Sequence, residues 1–524
     1  MIFALSFFWL IRETKAILFW LYLWQLKEYR VPRLLAHFQT AKGKELLLSK
    51  LIYLKFFLVL VILSSFISGF FENIPEFLTR PSFLLLYFVI IFGILFFLYV
   101  AESLKALKDF FGKKLKVPIL TKKILCLILT GLIIEILFLF ILFKGMIFVY
   151  QMNVVYMYPK LIIGDSFYPL GLLVFDILTP LVVSIIVFLF QPLAILWRNQ
   201  IIKKAKKKRE KFKNLLVIGI TGSYGKTSTK EFLATILSEK FKVLKTKEHQ
   251  NTEVGVPQCI LNDLKPEHEI FICEMGAYKR GEIKLLCDIT KPKIGILTGI
   301  NEQHLAIFGS QENIIKGKYE LIESLPEDGI AFFNEKDKYC VDLYKKTKIK
   351  KFLYGQETVQ KGEENILGAM AVAQKLGMSQ EEISKSCEKI KNKFGGIQFK
   401  NGINELNILD ATYSANPNSV IAHLEYIKTW PGKKVIIMPC LIELGSTSKE
   451  IHQRIGKKIA EVCDLAIIIT KDRFEEIKKE AGKKVIFLEN SKEIFEKIKS
   501  FCQKGDIIIL ESRVPGQLVK QLLK

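Results

Sequence analysis

A glycine-rich segment followed by lysine and threonine has the composition and spacing of a phosphate-binding loop. Residues 217–228 read VIGITGSYGKTS and stand between an apolar run and an amphipathic segment. Gly222 and Gly225 would let backbone N–H groups turn toward phosphate, and the N-terminus of the following helix adds a favourable dipole. Lys226 would contact the terminal phosphates, and Thr227 could bind Mg²⁺. An ordinary strand-to-helix turn has no need of Lys-Thr directly after the second glycine, so the segment predicts nucleotide binding.

The elements that must position this loop are short apolar runs that alternate with helical segments from residue 214 onward. Such alternation is typical of parallel α/β domains. The stretch KNKFGGIQFKNG divides this half into predicted domains over 214–396 and 397–524. The runs predicted as strands are LLVIGI, FKVLKT, EIFICEM, KIGILTGI, GIAFFN, KKFLYG, ELNILDA, KKVIIMP, DLAIIIT, KKVIFLE and GDIIILE.

Two side chains in this half are expected at the edge of a sheet. Glu274 ends one apolar run, and His304 lies in the loop after another. Open α/β sheets bind ligands in the crevice at the carboxyl ends of their strands. We therefore expect ligand contacts from both residues; the alternatives are a solvated acid at a strand end and a capping histidine.

The first part of the chain contains five long apolar runs that predict membrane-spanning helices. Each has about the 18 to 20 apolar residues that span a bilayer, whereas buried core helices are shorter or carry a polar face. We predict a transmembrane region over 1–197, with helices over 2–24, 51–71, 82–100, 124–143 and 168–197. Arg12, Glu13 and Lys15 interrupt the first run, which would lie in the membrane interface or pack its charges inside a helix bundle. The predicted count is therefore four or five.

The distribution of basic residues predicts an orientation. The formal net charge is +24, and Lys and Arg concentrate in the loops 25–50 and 101–123 and in a basic linker over 198–213. These segments are expected in the cytoplasm, together with everything after the linker. Beside a membrane, the linker is better suited to anionic lipid than to nucleic acid, so no nucleic acid partner is expected. A chain with 50% hydrophobic and 24% charged residues is not disordered, collagenous or a coiled coil.

The phosphate-loop sequence TGSYGKT resembles the variant loop of the Mur ligases, the ATP-dependent amide ligases of cell-wall precursor synthesis. Further blocks follow in the family's order, and the branch that adds D-alanyl-D-alanine is the most similar. The blocks are NTEVGVP (251–257), EMGA (274–277), HLAIFGS (304–310), KGKYE (316–320), NEKD (334–337), DATYSANP (410–417), ELG (443–445) and SR (512–513). The resemblance implies a membrane α-helical N-terminal region followed by α/β domains: a P-loop Mur-ligase central domain and a Rossmann-like C-terminal ligase domain.

The resemblance also implies roles for individual residues. The residues implied to bind ATP are Thr221, Gly222, Ser223, Tyr224, Gly225, Lys226, Thr227, Ser228, Asn334, Asp337 and Asp410. Those implied to bind substrate are Asn251, Tyr413, Asn416, Glu443 and Arg513. The implied metal ligands, for Mg²⁺, are Thr227, Glu274 and His304. The implied catalytic residues are Lys226, His304 and Lys318, of which Lys318 matches a lysine that several members carbamylate.

Two of these assignments have ordinary structural alternatives. Lys318 lies on the predicted helix ENIIKGKYELIESL and would otherwise be a plain surface lysine. Asn334 and Asp337 follow an apolar run, where Asn and Asp are also common turn residues.

Several positions depart from the family pattern. Gly299 stands where the family usually has asparagine, and Ala411 replaces an acid. Ile397 lies near the place of an expected arginine, and Leu510 and Glu511 occupy the place of a lysine before the final Ser-Arg. These departures concern the substrate and the phosphate contacts, and they leave the phosphate loop and the Mg²⁺ residues intact.

The uridine-diphosphate-binding module of the family has no counterpart, and membrane helices take its place. We predict a multi-pass plasma-membrane ligase with cytoplasmic catalytic domains that uses ATP and Mg²⁺ to form an amide through an acyl phosphate. Its expected partners are the lipid bilayer, a cell-wall precursor that would be lipid-linked, and an amino acid or dipeptide. The alternatives are a membrane γ-glutamyl polymer synthetase, a transport or regulatory membrane NTPase, and an inactive scaffold.

Overall fold

The computed structural model describes most of the chain: residues 2–68, 81–156, 161–247, 250–355, 364–390, 398–412 and 416–523. The chain divides into two compact units, Met1–Leu196 and Trp197–Lys524. The first unit is helical, and the second contains two α/β sheets. The predicted fold class, a helical N-terminal region with two α/β domains, is confirmed.

The described part of the first unit is built from long apolar helices and two short ones. They are α1 (Ile2–Leu26), α2 (Val31–Phe38), α3 (Ala41–Leu47), α4 (Lys50–Ser68), α5 (Pro81–Phe111), α6 (Lys122–Tyr156) and α7 (Leu161–Leu189). Helix α5 continues beyond its predicted apolar run because its last turns, AESLKALKDFF, are rich in good helix formers. By length and composition, the helical stretches that could cross a membrane are Ala41–Ser64, Val89–Phe111, Lys122–Phe148 and Phe167–Glu210.

Helix α1 carries charges but packs inside the helical unit. It lies against α5, α6 and α7, and the indole Nε1 of Trp9 donates to the Leu172 carbonyl at 3.1 Å. Glu13 is 0% exposed, because the neighbouring helices cover it. Of the two placements expected for the first apolar run, the structure has the one with charges inside the bundle.

The next helix, α8 (Gln191–Glu210), covers most of the segment predicted as a basic linker. Ile202 and Ala205 are buried in the core of the first α/β domain. The guanidinium of Arg209 donates to the carbonyls of Thr290, Phe212 and Leu215 at 2.9, 2.8 and 3.1 Å. This end of the helix is therefore part of the α/β unit, and Lys203, Lys204 and Lys207 remain exposed.

The first α/β domain contains a six-stranded parallel sheet in the order β2-β3-β1-β4-β5-β6. Its strands are β1 (Leu216–Thr221), β2 (Val243–Lys245), β3 (Ile270–Glu274), β4 (Ile294–Leu297), β5 (Ile330–Asn334) and β6 (Lys350–Tyr354). Its helices are α9 (Lys226–Leu237), α10 (Gly255–Asp263), α11 (Glu282–Thr290), α12 (Leu305–Phe308), α13 (Gln311–Glu323), α14 (Lys338–Lys346), α15 (Glu364–Lys375) and α16 (Gln380–Glu388). Because β1 lies between β3 and β4, the loops after these three strands meet at one edge of the sheet.

The second α/β domain contains a six-stranded sheet in the order β11-β10-β9-β12-β8-β7. Its strands are β7 (Gln398–Asn401), β8 (Asn407–Ala411), β9 (Lys434–Met438), β10 (Leu465–Ile468), β11 (Val485–Phe487) and β12 (Ile507–Glu511). Its helices are α17 (Pro417–Ile427), α18 (Ser448–Val462), α19 (Phe474–Ala481), α20 (Ser491–Phe501) and α21 (Gly516–Leu522). Each predicted apolar run overlaps one of the described strands. The antiparallel edge strand β7 was not predicted because QFKN is short and mostly polar.

Candidate active site

The phosphate loop connects β1 to α9 and is hydrogen-bonded to the residues that follow β4. Gly225 has φ 78° directly before α9, in the left-handed region that glycine tolerates. Gly222 has φ 153°, and a Cβ there would lie 2.2 Å from the Thr298 Oγ1. The Lys226 Nζ donates to the Gly222 carbonyl at 2.8 Å, and the Ser223 N–H donates to the Gly299 carbonyl at 2.7 Å. Thr221 and Ser228 flank this loop at the end of β1 and in the first turn of α9.

The Glu274 carboxylate lies at the carboxyl end of β3 and faces the first turns of α9. It is 5% exposed and accepts hydrogen bonds from the Thr227 hydroxyl at 3.0 Å and the Asn251 amide at 2.9 Å. The Lys230 Nζ is 3.3 Å from the same carboxylate. Burial opposes ionisation, but Lys226, Lys230 and these hydrogen bonds outweigh it, so the pKa of Glu274 lies below its usual value. The alternative of a solvated strand-end acid is wrong.

Lys318 lies on α13 and is buried, 3% exposed, so the alternative of a plain surface lysine is wrong. Its Nζ lies 3.4 Å from the Ala277 carbonyl and 5.8 Å from the centre of the Phe308 ring. Burial and the nearby Lys226 lower the pKa of Lys318 to about 7. A substantial fraction of this lysine is therefore a neutral amine at neutral pH.

His304 joins the two α/β domains. Its Nδ1 lies 2.7 Å from a carboxylate oxygen of Glu443, which follows β9 in the second sheet. The Ala306 N–H also donates to the Glu443 carbonyl at 3.1 Å. His304 has φ 65°, and a strained backbone of this kind is often found at functional sites. Burial lowers the pKa of His304, Glu443 opposes the shift, and Lys318 and Lys226 add to it, so the ring is neutral at neutral pH.

Asn334 and Asp337 have the contacts of structural residues. The Asn334 amide donates to the Thr298 carbonyl at 2.8 Å and its oxygen accepts from the Lys336 N–H at 3.0 Å. Asp337 caps α14 by accepting from the Cys340 N–H at 2.9 Å. Its other oxygen accepts from the Tyr224 hydroxyl at 3.0 Å and the Ile300 N–H at 3.1 Å. These residues support the phosphate loop through turn and cap hydrogen bonds.

The ring of Tyr224 in the phosphate loop fills the space that a side chain at position 299 would occupy. A Cβ at Gly299 would lie 2.2 Å from the Tyr224 Cζ, and Gly299 has φ 155°. The hydroxyl of Thr298 donates to the Tyr224 carbonyl. The absence of a side chain at 299 is therefore required by the tyrosine in the loop.

The residues predicted in the C-terminal domain are only partly brought to this site. Glu443 reaches His304, as described above. Asp410, at the end of β8, instead pairs with Lys400 at 2.6 Å. The Asn416 side chain caps α17 by accepting from the Ser419 N–H at 3.0 Å, and Arg513 is exposed. Tyr413 and Ile397 lie outside the described residues.

Sequence reasoning missed two side chains that support the site. Lys230 is 0% exposed and stands one turn after Lys226, so their spacing places both on the Glu274 side of α9. Asn365, at the start of α15, accepts from the Thr229 hydroxyl at 3.3 Å. The spacing could have revealed Lys230, but Asn365 lies 136 positions from its partner, and nothing local indicates the contact.

His452, on α18, has a structural role in the second α/β domain. It is 0% exposed. Its Nε2 accepts from the Leu441 N–H at 3.0 Å, and its Nδ1 lies 2.6 Å from the Ser448 carbonyl. Because Leu441 begins the loop that carries Glu443, His452 holds that loop in place.

Comparison with known proteins agrees with these observations. Residues 220–401 match the model of the Mur ligase middle domain, and residues 397–513 match the model of the Mur ligase glutamate ligase domain. The UDP-N-acetylmuramoyl-tripeptide–D-alanyl-D-alanine ligase of Synechocystis sp. is 32% identical over 278 residues, which are 48% of this chain and 60% of that protein. The Bacillus subtilis enzyme of the same name is 27% identical over 348 residues, 59% of this chain and 75% of that protein. The chain thus spans less than two thirds of the Synechocystis relative.

Solved structures share the fold of this part of the chain. MurF from Acinetobacter baumannii has a TM-score of 0.56 and 25% identity, and the match covers 62% of this chain and 80% of that one. MurF ligase from Thermotoga maritima in complex with ADP has a TM-score of 0.55 and 27% identity, over 62% of this chain and 83% of that one. The two consecutive domain matches and this shared fold lead to one conclusion: over residues 220–513 the chain belongs to the Mur ligase family.

Proposed function

We propose that the protein is a membrane-bound, ATP-dependent amide ligase of peptidoglycan precursor synthesis that acts through an acyl phosphate. The observation that carries this proposal is the convergence of side chains from both α/β domains beside the phosphate loop. Lys226, Lys318 and His304 lie within electrostatic range of one another, and Glu443 of the second domain contacts His304. A ligase needs such a junction because it must bring a phosphorylated acid and an amine together.

The residues present suit ATP and Mg²⁺. Mg²⁺ in nucleotide sites usually takes one or two carboxylates and completes its shell with phosphate oxygens and waters. Glu274 and the Thr227 hydroxyl, 3.0 Å apart, would supply the protein oxygens. Among the described residues no three His, Cys, Asp or Glu side chains are grouped to hold a metal ion, so phosphate would complete the site. When bound, Mg²⁺ would neutralise phosphate charge.

The proposed reaction has two balanced steps. A carboxylate oxygen of the acyl substrate attacks the γ-phosphorus, the bond to the bridging oxygen of ADP breaks, and ADP leaves. The amine then attacks the acyl carbon, inorganic phosphate leaves, and the amine nitrogen loses a proton. Lys226 and the loop N–H groups would stabilise the phosphoryl charge in the first step. His304, held by Glu443, would position the acyl phosphate toward the second domain, where the amine would bind.

The environment of Lys318 supports the carbamylation that the family resemblance implies. A lysine must be neutral to attack carbon dioxide, and the pKa of Lys318 of about 7 provides that form. The product is an anion, because the nitrogen loses its proton as the N–C bond forms. This anion would lie near the Lys226 ammonium and so would be stabilised in the site.

The helical unit suggests which carrier group is attached to the acyl substrate. The relatives are named for a UDP-linked muramoyl tripeptide and D-alanyl-D-alanine. This chain has apolar helices before its Mur ligase domains, and four stretches could cross a membrane by length and composition. We propose that it is a multi-pass protein of the plasma membrane with cytoplasmic catalytic domains, and that it takes a lipid-linked precursor and an amino acid or dipeptide.

The test is product formation by the full-length protein in nanodiscs with ATP, Mg²⁺ and D-alanyl-D-alanine. A lipid-linked muramoyl tripeptide is compared with its UDP-linked form, and products are identified by mass. We expect the amide from the lipid-linked substrate, its loss in Lys226→Ala, and its retention in Lys247→Ala, which changes an exposed lysine. Amide formation only from the UDP-linked form would overturn the lipid-linked substrate. ATP turnover without any amide would overturn the ligase.

A further inference from the structure

The helical unit contains a cluster of ionisable side chains that a simple membrane anchor does not require. We call it the buried polar centre; its members come from α1, α4, α5 and α7 and are Arg12, Glu13, Lys55, Tyr99, Glu102 and Asp176. Glu13, Lys55, Tyr99 and Asp176 are at most 4% exposed. Ionisable residues at such positions are costly and commonly mark functional sites in membrane proteins.

The members of the buried polar centre are joined by ion pairs. The Lys55 Nζ lies 2.6 Å from Glu102 and 2.7 Å from Asp176. Arg12 contacts Glu13 at 2.5 Å, Glu102 at 3.5 Å, and also Asp176. The hydroxyl of Thr179 donates to Glu13. The network therefore connects four helices through direct contacts.

The charges of the buried polar centre do not balance. It holds two cations, Arg12 and Lys55, against three carboxyl groups, Glu13, Glu102 and Asp176, which leaves one carboxylate in excess. Glu135 on α6 adds a further carboxyl group, 0% exposed and held by the Thr14 hydroxyl at 3.2 Å. A buried charge without a counterion is strongly unfavourable.

A second observation also points to a ligand. The Tyr99 hydroxyl is buried and has no hydrogen-bond partner among the described residues. Its ring lies 5.6 Å from the Lys55 Nζ, and Tyr99 interacts electrostatically with Asp176 and Arg12. A buried hydroxyl is normally satisfied, so an unpaired one directed into a polar cluster indicates an unfilled interaction.

We propose that the buried polar centre as a whole is a proton-binding site, which holds one proton in addition to its ion pairs. One proton balances the charge of the five ion-paired side chains, and a protonated carboxyl group can also donate a hydrogen bond, for which the Tyr99 oxygen is available. A metal ion is a poorer occupant, because no three acidic, His or Cys side chains in the described chain are grouped to hold one. The helical unit then binds a ligand of its own, independently of the ligase reaction.

The helical unit also contains an ion pair outside the buried polar centre. Lys15, on the same helix as Arg12, pairs with Asp109 at 3.1 Å, and these two side chains are 30% and 29% exposed. This pair is electrically balanced and partly open to solvent. It contributes nothing to the charge excess and so provides a matched control.

The test reads the carbonyl stretch of protonated carboxyl groups by infrared spectroscopy of the full-length protein in nanodiscs at neutral pH. Glu13→Gln removes the excess carboxyl group, so we expect the band to decrease by one group. Lys55→Gln removes a cation, so a second carboxyl group should take up a proton and the band should increase by one group. Asp109→Asn is the matched control from the balanced pair and should leave the band unchanged.

Opposite changes in Glu13→Gln and Lys55→Gln cannot arise from loss of folding, which would move both variants in the same direction. The wild-type protein provides a further readout: its band should shift in deuterium oxide and should not depend on sodium. Equal bands in the wild type and both variants would overturn the proposal, as would a band that sodium removes. Lys226→Ala should keep the band, which separates this result from any failure of the ligase assay.

Discussion

The two units of the protein bury charge in opposite ways. Around the phosphate loop, two lysines, Lys226 and Lys230, face the single buried carboxylate of Glu274. In the helical unit, the carboxyl groups of the buried polar centre outnumber Arg12 and Lys55. A surplus of buried cations is stabilised by an anion such as phosphate, and a surplus of carboxylates is stabilised by a proton or a cation. The sign of the local buried charge therefore fits the phosphate and the proton that we propose for the two units.

The largest effect is expected from Lys226→Ala, which should impair the phosphate loop and leave the helical unit unchanged. Lys226→Ala removes the ammonium that contacts the loop carbonyl at Gly222. Loss of one preorganised group that stabilises transition-state charge commonly costs about 10² to 10³ in rate. ATP-dependent phosphate release should fall by about this factor, while the infrared band of the helical unit stays constant. Loss of both signals would instead mean that the two sites depend on each other.

A steric change at Gly299 should have the next largest effect. Gly299→Asn places a Cβ 2.2 Å from the Tyr224 Cζ at a φ of 155°. Overpacking and backbone strain together should destabilise the α/β unit by about 2 to 4 kcal/mol. Thermal unfolding measured in nanodiscs should show this loss, and Tyr224→Ala should restore about half of it in the double variant.

A matched glycine separates the clash from the effect of the substitution itself. Gly309 also has a positive φ, 80°, but a Cβ there meets nothing within 4 Å. Asparagine tolerates the left-handed region, so Gly309→Asn should cost about 1 kcal/mol or less. Equal losses in Gly299→Asn and Gly309→Asn would show that the contact with Tyr224 is unimportant.

The pH dependence of activity tests the proposed role of Lys318. Burial and Lys226 lower the pKa of Lys318 from 10.5 to about 7. The neutral amine is then the minor form about one unit below that value and the major form about one unit above it, a change of about tenfold. ATP turnover should rise by about this factor from about pH 6 to about pH 8 if carbamylation of the neutral amine is required.

The control for this profile is Lys318→Arg, which keeps a cation that does not deprotonate. We expect low activity without the rise, and a decrease in wild-type activity when carbon dioxide is removed from the buffer. A Lys318→Arg variant with normal activity and the wild-type profile would contradict a role for the neutral lysine.

How well the sequence predicted each region depends on the distance between the residues that meet. The phosphate loop is a continuous segment, and Glu274 ends the strand beside it, so strand order alone brings them together. The contact between His304 and Glu443 joins positions 139 residues apart and depends on how the two α/β domains pack. The family resemblance gave both residues roles, but their pairing was not predicted.

The same reasoning explains what was missed in the helical unit. Arg12 and Glu13 were visible as interruptions of an apolar run, but Lys55, Glu102 and Asp176 lie in three separate helices. No spacing in the sequence relates them, because helix packing rather than chain order makes them neighbours. In the α/β unit, β7 was missed for a different reason: QFKN is short, mostly polar and has almost no strand pattern.

The smallest effect is expected from a change at Glu443, the carboxylate that pairs with His304. Glu443→Gln replaces the partner of His304 at 2.7 Å by a neutral amide of similar size. Because Glu443 opposes the effect of burial, its removal should lower the pKa of His304 further and leave the ring neutral. The lost charge-assisted hydrogen bond should reduce amide formation by about 3- to 10-fold, with little change in nucleotide affinity, since Glu443 belongs to the second domain.

Glu450→Gln, an exposed change on α18, is the matched control. A larger loss in nucleotide affinity than in amide formation would place Glu443 on the ATP side of the site, and the junction between the domains would then serve phosphate binding rather than the approach of the amine.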